Sequence, residues 1–413
     1  MFKKLEIKDW KHFEKIELDF HPRLTILTGA NGSGKSTLLR ILARHVNWNF
    51  NELGTPEKDE KTGLLKYWAR KLFSPWFNGV KKTETELGNS VGDLEYSSGQ
   101  KSAIHVSPSH DNAAYGVSMP HQQGMRGVHI PAYRPQFIHQ AVVNISTSPR
   151  TREQAFQSAT QACRNSFQGG QNSSGHLLKE TLLNWVQHGY GSQISPGNQI
   201  YKDLFHNFEE KIRTVLPKNI GFKKFEPRNA EIVLICESGE YLLDASSGGI
   251  TALIDLTWQI FLADDGTDFL VVIDEIENHL HPSMQRSVLS DFARAFPKAV
   301  FIVTTHSPFV VGSVADSAVY ALRFNGKNRV VSERLDLVDK AGTASDVLKD
   351  VLGVPVTVPI WVENKLKAVI EKYQALPLTA DNIKALAAEI KQEGLENLST
   401  VALTNYVASK ANS

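Results

Sequence analysis

Residues 29–37 read GANGSGKST and fit the pattern G-x-x-x-x-G-K-[ST]. The apolar run at residues 24–27 predicts a buried strand before this segment, and the spacing of apolar residues over 35–46 predicts a helix after it. Strand, glycine-rich turn and helix in this order are typical of the unit that opens an α/β nucleotide-binding fold. We therefore expect an α/β protein with a mostly parallel sheet flanked by helices.

The residues of this segment suit the binding of a triphosphate. Glycines allow backbone N–H groups to turn inward around the β- and γ-phosphates, and the helix N terminus adds its positive dipole. Lys35 supplies a mobile cation, and Ser36 can ligate Mg²⁺ through its hydroxyl. A glycine-rich turn that only caps a helix is the competing interpretation. The segment predicts ATP and Mg²⁺ as cofactors. Its predicted phosphate-binding residues are Asn31, Gly32, Ser33, Gly34, Lys35, Ser36 and Thr37.

Two carboxylates follow the apolar strand predicted at residues 269–273. The carboxyl end of such a strand lies at the sheet edge where open α/β folds bind ligands. Asp274 would anchor the Mg²⁺ shell together with Ser36, and Glu275 would polarise or deprotonate the water that attacks the γ-phosphate. A pair of solvated acids at a strand end is the competing interpretation, and the phosphate-binding pattern upstream favours the catalytic one.

Charge and cysteine content narrow the setting of the protein. The 413 residues carry 45 Lys and Arg against 44 Asp and Glu, so a nucleic-acid surface would have to be a local patch. Lysines at positions 3, 4, 8, 11 and 15 form one candidate patch, although solvated faces balanced by acids explain them equally well. The two cysteines lack metal-ligand spacing and favour a reducing compartment. With neither a secretory signal nor an apolar span of about 20 residues, we expect a cytoplasmic protein without a membrane partner.

Four segments are predicted along the chain. Residues 1–145, which open on a β-meander, and residues 219–335 would form the two parts of the nucleotide-binding domain. Residues 146–218 between them are predicted as a helical and loop insertion, and residues 336–413 as a helical C-terminal domain. The remaining local predictions are a helix at 64–77, a loop over 96–123, a polar linker at 146–175, a hairpin of 231–236 with 241–243, a helix at 284–295 and a hairpin of 319–324 with 329–333.

The motifs stand in an order that resembles the head of ABC-class ATPases. Behind the meander come GANGSGKST, then SSGG at 246–249 before a helix, then FLVVIDEIENHLHP at 269–282, and then TTHS at 304–307. The chain is similar to the branch that includes the RecF and SMC heads, and most of all to the OLD-like, Septu-type and retron-associated ATPases of anti-phage systems. The resemblance covers residues 1–50 and 230–325.

This resemblance implies a composite site between two copies of the chain. In that family two heads sandwich ATP, so Ser247, Gly248 and Gly249 of one copy would contact the γ-phosphate bound by the other. A serine hydroxyl and glycine N–H groups at the start of a helix suit an anion. The segment departs from the family's LSGGQ at Ser246 and Ile250, and a plain helix N-cap is the competing interpretation.

Two further roles come from the same resemblance. His306 would be the switch histidine that contacts the γ-phosphate, and Gln136 would be the Q-loop glutamine near Mg²⁺, with Arg134 as an alternative. His281 stands where transporter heads usually carry an aspartate, which disfavours the ATPase subunit of a membrane transporter.

The resemblance finally implies ATP hydrolysis at the interface of a homodimer or higher homo-oligomer, in anti-phage defence with a separate nuclease or effector protein. Residues 344–413 contain no D-x-D pair of a Toprim nuclease, so an HNH-type or other partner would cut nucleic acid. Two alternatives stay open. One is an ATP-dependent scaffold that cages a toxin or nuclease with slow turnover, and the other is a DNA-repair ATPase like RecF or SMC.

Overall fold

The computed structural model describes residues 1–58, 63, 65–68, 89–106, 109–110, 112–167, 174–192, 195–336, 342–352, 360–374, 376–377, 379–393 and 395. The chain divides into two compact units, Met1–Val347 and Leu348–Ser413. The three segments predicted before residue 336 all fall in the first unit.

The strands, numbered in chain order, are β1 (Phe2–Trp10), β2 (Phe13–Asp19), β3 (Leu24–Gly29), β4 (Glu52–Leu53), β5 (Thr55–Lys58), β6 (Leu65–Trp68), β7 (Asn89–Tyr96), β8 (Lys101–Val106), β9 (Ser109–His110), β10 (Ala114–Tyr115), β11 (Gly127–Ile130), β12 (Gly191–Ser192), β13 (Ser195–Pro196), β14 (Phe222–Arg228), β15 (Glu231–Cys236), β16 (Gly239–Leu242), β17 (Phe269–Ile273), β18 (Ala299–Thr305), β19 (Ala318–Phe324) and β20 (Val330–Arg334). The helices are α1 (Lys35–Ala43), α2 (Arg152–Phe167), α3 (Ser174–Tyr190), α4 (Gln199–Val215), α5 (Gly248–Ala263), α6 (Pro282–Gln285), α7 (Val288–Ala295), α8 (Pro308–Val311), α9 (Ala344–Asp346), α10 (Ile360–Gln374) and α11 (Ala380–Gln392). Short 3-10 turns occupy Arg44–Val46, Lys218–Ile220 and Leu243–Ala245, and a π-helical turn occupies Val347–Val351.

A ten-stranded mixed sheet lies at the centre of the first unit, in the order β11-β17-β18-β3-β19-β20-β2-β1-β7-β8. The first five strands of this order are parallel, and β19 turns back into β20 as the predicted hairpin. β2, β1, β7 and β8 continue as an antiparallel meander. The predicted α/β fold of a P-loop ATPase head is therefore confirmed.

Burial follows the sequence pattern in both halves of this sheet. Every residue of β3, β17 and β18 is buried, as expected for parallel strands that are covered on both faces. In β1 and β2 the buried residues are interspersed with exposed ones, and charged side chains lie on the outer face. On that face Lys4 pairs with Glu6 and Lys15 pairs with Glu17. The lysines of the meander thus belong to a charge-balanced face.

Helices α2, α3 and α4 of the predicted insertion pack against α5. The ring centroid of Trp258 on α5 lies 5.4 Å from that of Trp185 on α3 and 5.1 Å from that of Phe208 on α4. Because α5 is buried on nearly all sides, its apolar residues need partners in every direction. The insertion therefore completes the core around α5.

A small antiparallel sheet leads into α5. It has the order β14-β15-β16 and contains the predicted hairpin of residues 231–236 with 241–243. After β16 the chain passes through the turn Leu243–Ala245 and enters α5 at Gly248. This connection fixes where the SSGG segment lies.

Four local predictions differ from the structure. Residues 101–106 form strand β8 within the predicted loop, because alternate residues of KSAIHV are buried. Helix α2 occupies most of the predicted linker at 146–175 and buries the small side chains of Ala155 and Ala162. Residues 65–68 form a strand where the spacing predicts a helix over 64–77, and the remaining residues of that prediction lie outside the described ones. The helix predicted at 284–295 is two helices, α6 and α7.

In the second unit, α10 and α11 share an apolar cluster. Its buried members are Val362, Leu366, Val369, Ile370, Leu386, Ile390 and Leu395. The two helices agree with the helical character predicted for the C-terminal residues. Throughout the described part of the chain, none of the helices combines the length and the hydropathy needed to span a bilayer.

Candidate nucleotide-binding site

The glycine-rich segment forms a tight loop between β3 and α1. Gly29 and Gly34 have φ angles of +142° and +90°, which residues with a Cβ rarely adopt, and Gly34 is the N-cap of α1. A Cβ added at Gly34 would lie 2.4 Å from Cζ of the buried Phe13 and 2.6 Å from Nε2 of His12. The β1–β2 turn therefore packs directly against the loop and leaves no room for a side chain at Gly34.

Lys35 points its ammonium group into this loop. Its side chain is buried, and Nζ donates hydrogen bonds to the carbonyl oxygens of Gly29 at 3.0 Å and Ala30 at 3.1 Å. Burial lowers the pKa of Lys35 to about 8, while the carboxylates of Glu275 and Asp274 act in the opposite direction. The predicted cation and the two predicted acids thus lie within one electrostatic environment.

The other loop residues differ in exposure in a way that suits ligand binding. Asn31 and Gly32 are exposed at the tip, and Ser36 and Thr37 are half-buried in the first turn of α1. Ser33 Oγ is buried and has no hydrogen-bond partner among the described residues. Buried polar atoms without a partner are rare in folded proteins, so this hydroxyl is consistent with a missing ligand.

Thr304 at the end of β18 holds both acids that follow β17. Its Oγ1 donates to Oδ1 of Asp274 at 2.5 Å and accepts from the backbone N–H of Glu275 at 2.7 Å. Asn278 Nδ2 then donates to Oε2 of Glu275 at 2.9 Å. Sequence analysis did not assign these roles to Thr304 and Asn278, although both stand within the motifs TTHS and IENHL that it singled out.

Arg134 anchors the backbone of the same turn. Its guanidinium is buried and donates hydrogen bonds to four carbonyl oxygens, those of Pro131 at 3.2 Å, Asp274 at 3.1 Å, Glu275 at 2.9 Å and Asn278 at 3.4 Å. Burial lowers the pKa of Arg134, and the acids around it oppose that change. Arg134 therefore contacts the backbone of the turn that carries the predicted catalytic glutamate.

His306 lies beside Glu275, as its predicted role requires. The distance from His306 Nε2 to Glu275 Oε1 is 4.0 Å, and the backbone N–H of His306 donates to Oε1 of Glu277. Burial and the nearby Lys35 ammonium lower the pKa of His306, although the acids oppose this change. Lys35, Asp274, Glu275 and His306 therefore form one cluster at the carboxyl ends of β3, β17 and β18.

Gln136 and the SSGG segment lie together on an adjacent surface. Ser247 is the exposed N-cap of α5, and its side chain makes no capping hydrogen bond to the described residues. A Cβ added at Gly248 would lie 3.4 Å from Nε2 of Gln136, and one at Gly249 would lie 3.3 Å from the carbonyl oxygen of His279. A cleft of about 600 Å³ is lined by both Gln136 and Glu275. The start of α5 therefore presents the Ser247 side chain to solvent and leaves Gly248 and Gly249 partly exposed.

The two histidines of the HLHP segment have structural roles. His281 is the N-cap of α6, where its side chain accepts from the backbone N–H of Ser283. His279 has a φ angle of +69° and lies in the turn that packs beside Gly249. The HLHP segment therefore forms the entry to the helix that begins at Pro282.

Two family models match the chain. A model described as "AAA domain" matches residues 4–214, which is more than half of the 413 residues. The chain belongs to the AAA domain family. A second model, described as "AAA domain, putative AbiEii toxin, Type IV TA system", matches residues 240–312 of this AAA domain protein.

Curated relatives of this AAA domain protein include a Septu protein and two probable ATPases of retrons. It is 27% identical over 194 residues to Septu protein PtuA of Bacillus thuringiensis, an alignment that covers 40% of the chain and 49% of the relative. It is 23% identical to Retron Ec83 probable ATPase of Escherichia coli, over 94% of the chain and 83% of the relative. Retron Vc95 probable ATPase of Vibrio cholerae serotype O1 biovar El Tor is 30% identical over 26% of the chain and 20% of the relative. The chain thus spans about half of the Septu relative and most of the Ec83 relative, and the resemblance predicted from the motifs is confirmed.

Among solved structures, the SMC head domain from Thermotoga maritima is similar to this AAA domain chain with a TM-score of 0.40 and 16% identity. The comparison covers 81% of the chain and 99% of that structure.

The residues of the site fit a nucleotide with Mg²⁺. The Ser36 hydroxyl and the Asp274 carboxylate are hard oxygen ligands of the kind that Mg²⁺ prefers. The unpartnered Ser33 hydroxyl and the buried Lys35 ammonium are donors suited to phosphate oxygens. Glu277 Oε2, beside His306, is a second buried oxygen without a partner in the described part of the chain.

Proposed function

We propose that this protein hydrolyses ATP with Mg²⁺ at a site shared between two copies of the chain. The observation that carries the proposal is the convergence of Lys35, Asp274, Glu275 and His306 at one edge of the sheet. Burial lowers the pKa of Lys35, and the carboxylates of Glu275 and Asp274 oppose that change. His306 Nε2 lies 4.0 Å from Glu275 Oε1. A cation, a metal-ligating acid and a residue that positions or deprotonates water are recurring parts of phosphoryl-transfer sites. The His306 imidazole beside them supplies a further hydrogen-bond donor.

Each residue has a distinct role in the proposed reaction. Lys35 and the loop N–H groups bind the β- and γ-phosphates, and Ser36 and Asp274 would hold Mg²⁺, which when bound neutralises the charge that develops on the phosphate oxygens. Glu275 orients a water in line with the γ-phosphate and accepts its proton. His306 donates a hydrogen bond to the γ-phosphate. Thr304 keeps Asp274 and Glu275 in register for these steps.

The second copy would complete the site with Ser247, Gly248 and Gly249. The support for this step is the start of α5, where the exposed Ser247 side chain makes no capping hydrogen bond to the described residues and the helix dipole favours an anion. Gln136 is exposed beside this surface and could respond to closure. In this proposal ATP drives self-association, and hydrolysis reverses it.

The proposed biological role is anti-phage defence together with a separate nuclease or effector protein. The names of the Septu and retron relatives support this role. The proposed setting is the cytoplasm, which agrees with the thiol state of Cys163 and Cys236, because both cysteines of the chain are free.

The test is ATP turnover by the purified wild-type protein and two variants. Lys35→Ala should abolish tight ATP binding because the cation at the phosphates is lost. Glu275→Gln should retain binding and lower kcat by about 10² to 10⁴ because the base is removed. Glu210→Gln, at a side chain that is 67% exposed, is the matched control and should behave as wild type. Wild-type turnover in Glu275→Gln would remove Glu275 from the base role, and a wild-type protein that neither binds nor hydrolyses ATP would refute the proposal.

A further inference from the structure

A buried cation lies at the junction between the insertion and the SSGG segment. Lys179 on α3 has no exposed surface, and its Nζ contacts Asp244 Oδ2 and lies 3.0 Å from Glu231 Oε2. It also donates to the carbonyl oxygen of Gln140 at 2.7 Å. Its partners thus come from three separate segments of the chain.

Two of those segments carry residues of the proposed composite site. Asp244 lies in the turn Leu243–Ala245, three residues before Ser247. Gln140 lies four residues after Gln136, in the same irregular segment that follows β11. Glu231 belongs to β15, the strand that pairs with β16 ahead of the turn. A single ammonium group therefore ties helix α3 to both parts of the exposed surface.

His139, Glu231 and Asp244 together offer the ligand atoms of a cation site, and the ammonium group of Lys179 already supplies a cation there. Ligand atoms of His139, Glu231 and Asp244 lie within 4.8 Å of one another. His139 Nδ1 is 3.3 Å from Asp244 Oδ2, the same oxygen that Lys179 contacts. The geometry therefore favours an internal ammonium over a bound metal ion at this place.

Loss of the ammonium would release the turn before SSGG. The Asp244 side chain is only 2% exposed, and its other oxygen, Oδ1, has no partner among the described residues. Oδ2 is thus the oxygen through which Asp244 is held. A buried carboxylate without a counter-charge moves toward water, and that motion would carry the adjoining turn with it.

We propose that Lys179 is a positioning residue that sets the place of Ser247 to Gly249 relative to the nucleotide of the opposite copy, and the place of Gln136 beside them. Through it, a displacement of α3 changes ATP-driven self-association and turnover, while nucleotide binding at the loop of a single copy is unaffected. The inference rests on the proposed function, because it assumes that the SSGG surface meets ATP in trans.

The first test compares Lys179→Met with Lys298→Met, which makes the same change at an exposed lysine before β18. For light scattering with ATP, each substitution is made in the Glu275→Gln background. For steady-state kinetics, each substitution is made by itself in the wild-type protein. Lys179→Met should leave the Kd of a fluorescent ATP analogue unchanged, weaken ATP-driven self-association by about ten-fold or more and lower kcat without a matching change in KM. Lys298→Met should match its parent. Unchanged self-association and kcat in Lys179→Met would overturn the inference.

Two further measurements keep the inference testable if Lys179→Met folds poorly. The double variant Lys179→Met with Asp244→Asn removes the uncompensated buried charge. It should therefore regain stability, while its ATP-driven self-association stays weak. If stability and self-association both recover, the ion pair is purely structural and the inference is wrong. In Glu275→Gln, hydrogen exchange should show that ATP alters protection of residues 243–249 and of α3 together. ATP effects that leave α3 unchanged would overturn the inference. If Glu275→Gln does not self-associate when ATP is present, the proposed function is wrong, and the inference about Lys179 is not the part that failed.

Discussion

Glu275 adopts a φ angle of +48°, a backbone conformation that residues with a side chain seldom occupy. Strained residues of this kind persist only where their surroundings fix them, and they concentrate at functional sites. Here the fixing contacts are the four carbonyl hydrogen bonds of Arg134 and the Thr304 hydroxyl. At the scale of single residues, the proposed base is therefore held in place from the backbone side as well as through its carboxylate.

Arg134→Lys should lower kcat by about 10- to 100-fold with little effect on the Kd of ATP. A lysine keeps the positive charge but cannot donate to several carbonyl groups at once, so the Glu275 turn would lose its anchor. Steady-state kinetics and nucleotide titration measure the two quantities. A variant with wild-type kcat would show that Thr304 and Asn278 suffice.

Gly34→Ala should destabilise the protein more than Gly99→Ala. Both glycines have φ angles near +90°, namely +90° and +83°, so both variants carry the conformational cost of about 1 kcal/mol. Only at Gly34 would the new methyl group meet Phe13 at 2.4 Å, whereas nothing lies within 4 Å at Gly99. Urea unfolding should show an additional loss of about 1–3 kcal/mol for Gly34→Ala. Equal losses in the two variants would contradict the packing of the β1–β2 turn against the loop.

At the scale of elements, the carboxyl ends of three parallel strands bring the site together. β3 is followed by the proposed phosphate loop, β17 by the two acids, and β18 ends in the segment with Thr304 and His306.

The 3-10 turn after α1 contains the buried His45. Its Nδ1 lies 3.0 Å from the carbonyl oxygen of Leu42, and its Nε2 lies 2.8 Å from the Tyr96 hydroxyl. The connection between α1 and the meander thus contains a buried titratable group.

The stability of the first unit should fall as the pH drops from about 6.5 to 4. Burial lowers the pKa of His45 to about 4, so in this window the unfolded state binds the proton that the folded state rejects. The free energy of unfolding should lose on the order of 3 kcal/mol from this group by pH 4. Burial also lowers the pKa of His129 to about 4, so His129 adds a further loss of stability over the same pH range.

Urea unfolding at pH 7 and pH 4.5 measures this effect. His45→Gln should be less stable at pH 7 but should show a shallower decline with acid, because one of the two titrating groups is absent. Parallel declines in the wild type and in His45→Gln would show that His45 does not cause the acid sensitivity.

At the scale of the whole molecule, the proposed cycle depends on a surface that a single copy leaves exposed. The cluster around Glu275 and the start of α5 are built from one chain, and the phosphate loop and the SSGG turn would each act on a nucleotide held with the other copy. Lys179 links this surface to α3, which shares an aromatic cluster with α4 and α5. An effector protein that contacts the insertion could therefore influence turnover.

Ser247→Asp should prevent ATP-driven self-association without harming the fold, in the Glu275→Gln background. Aspartate is a favoured N-cap and should leave α5 as stable or slightly more stable, yet its charge would oppose the γ-phosphate of the other copy. Ser247→Asn is the matched control because it caps equally well without the charge. Light scattering with ATP should show association for the asparagine variant and its loss for the aspartate variant. Equal association of both would place the SSGG turn away from the nucleotide.

The amino-acid sequence alone determined the loop at residues 29–37, the acids after β17, the parallel strands flanked by helices, the N-terminal meander and the similarity to Septu and retron proteins, because each of these depends on local order along the chain. The tertiary structure alone decided the contacts of Arg134, Thr304 and Lys179, and it showed that the polar segments at 101–106 and 152–167 form β8 and α2. These contacts join residues far apart in sequence, and no periodicity or spacing encodes which distant carbonyl or carboxylate a buried cation will meet.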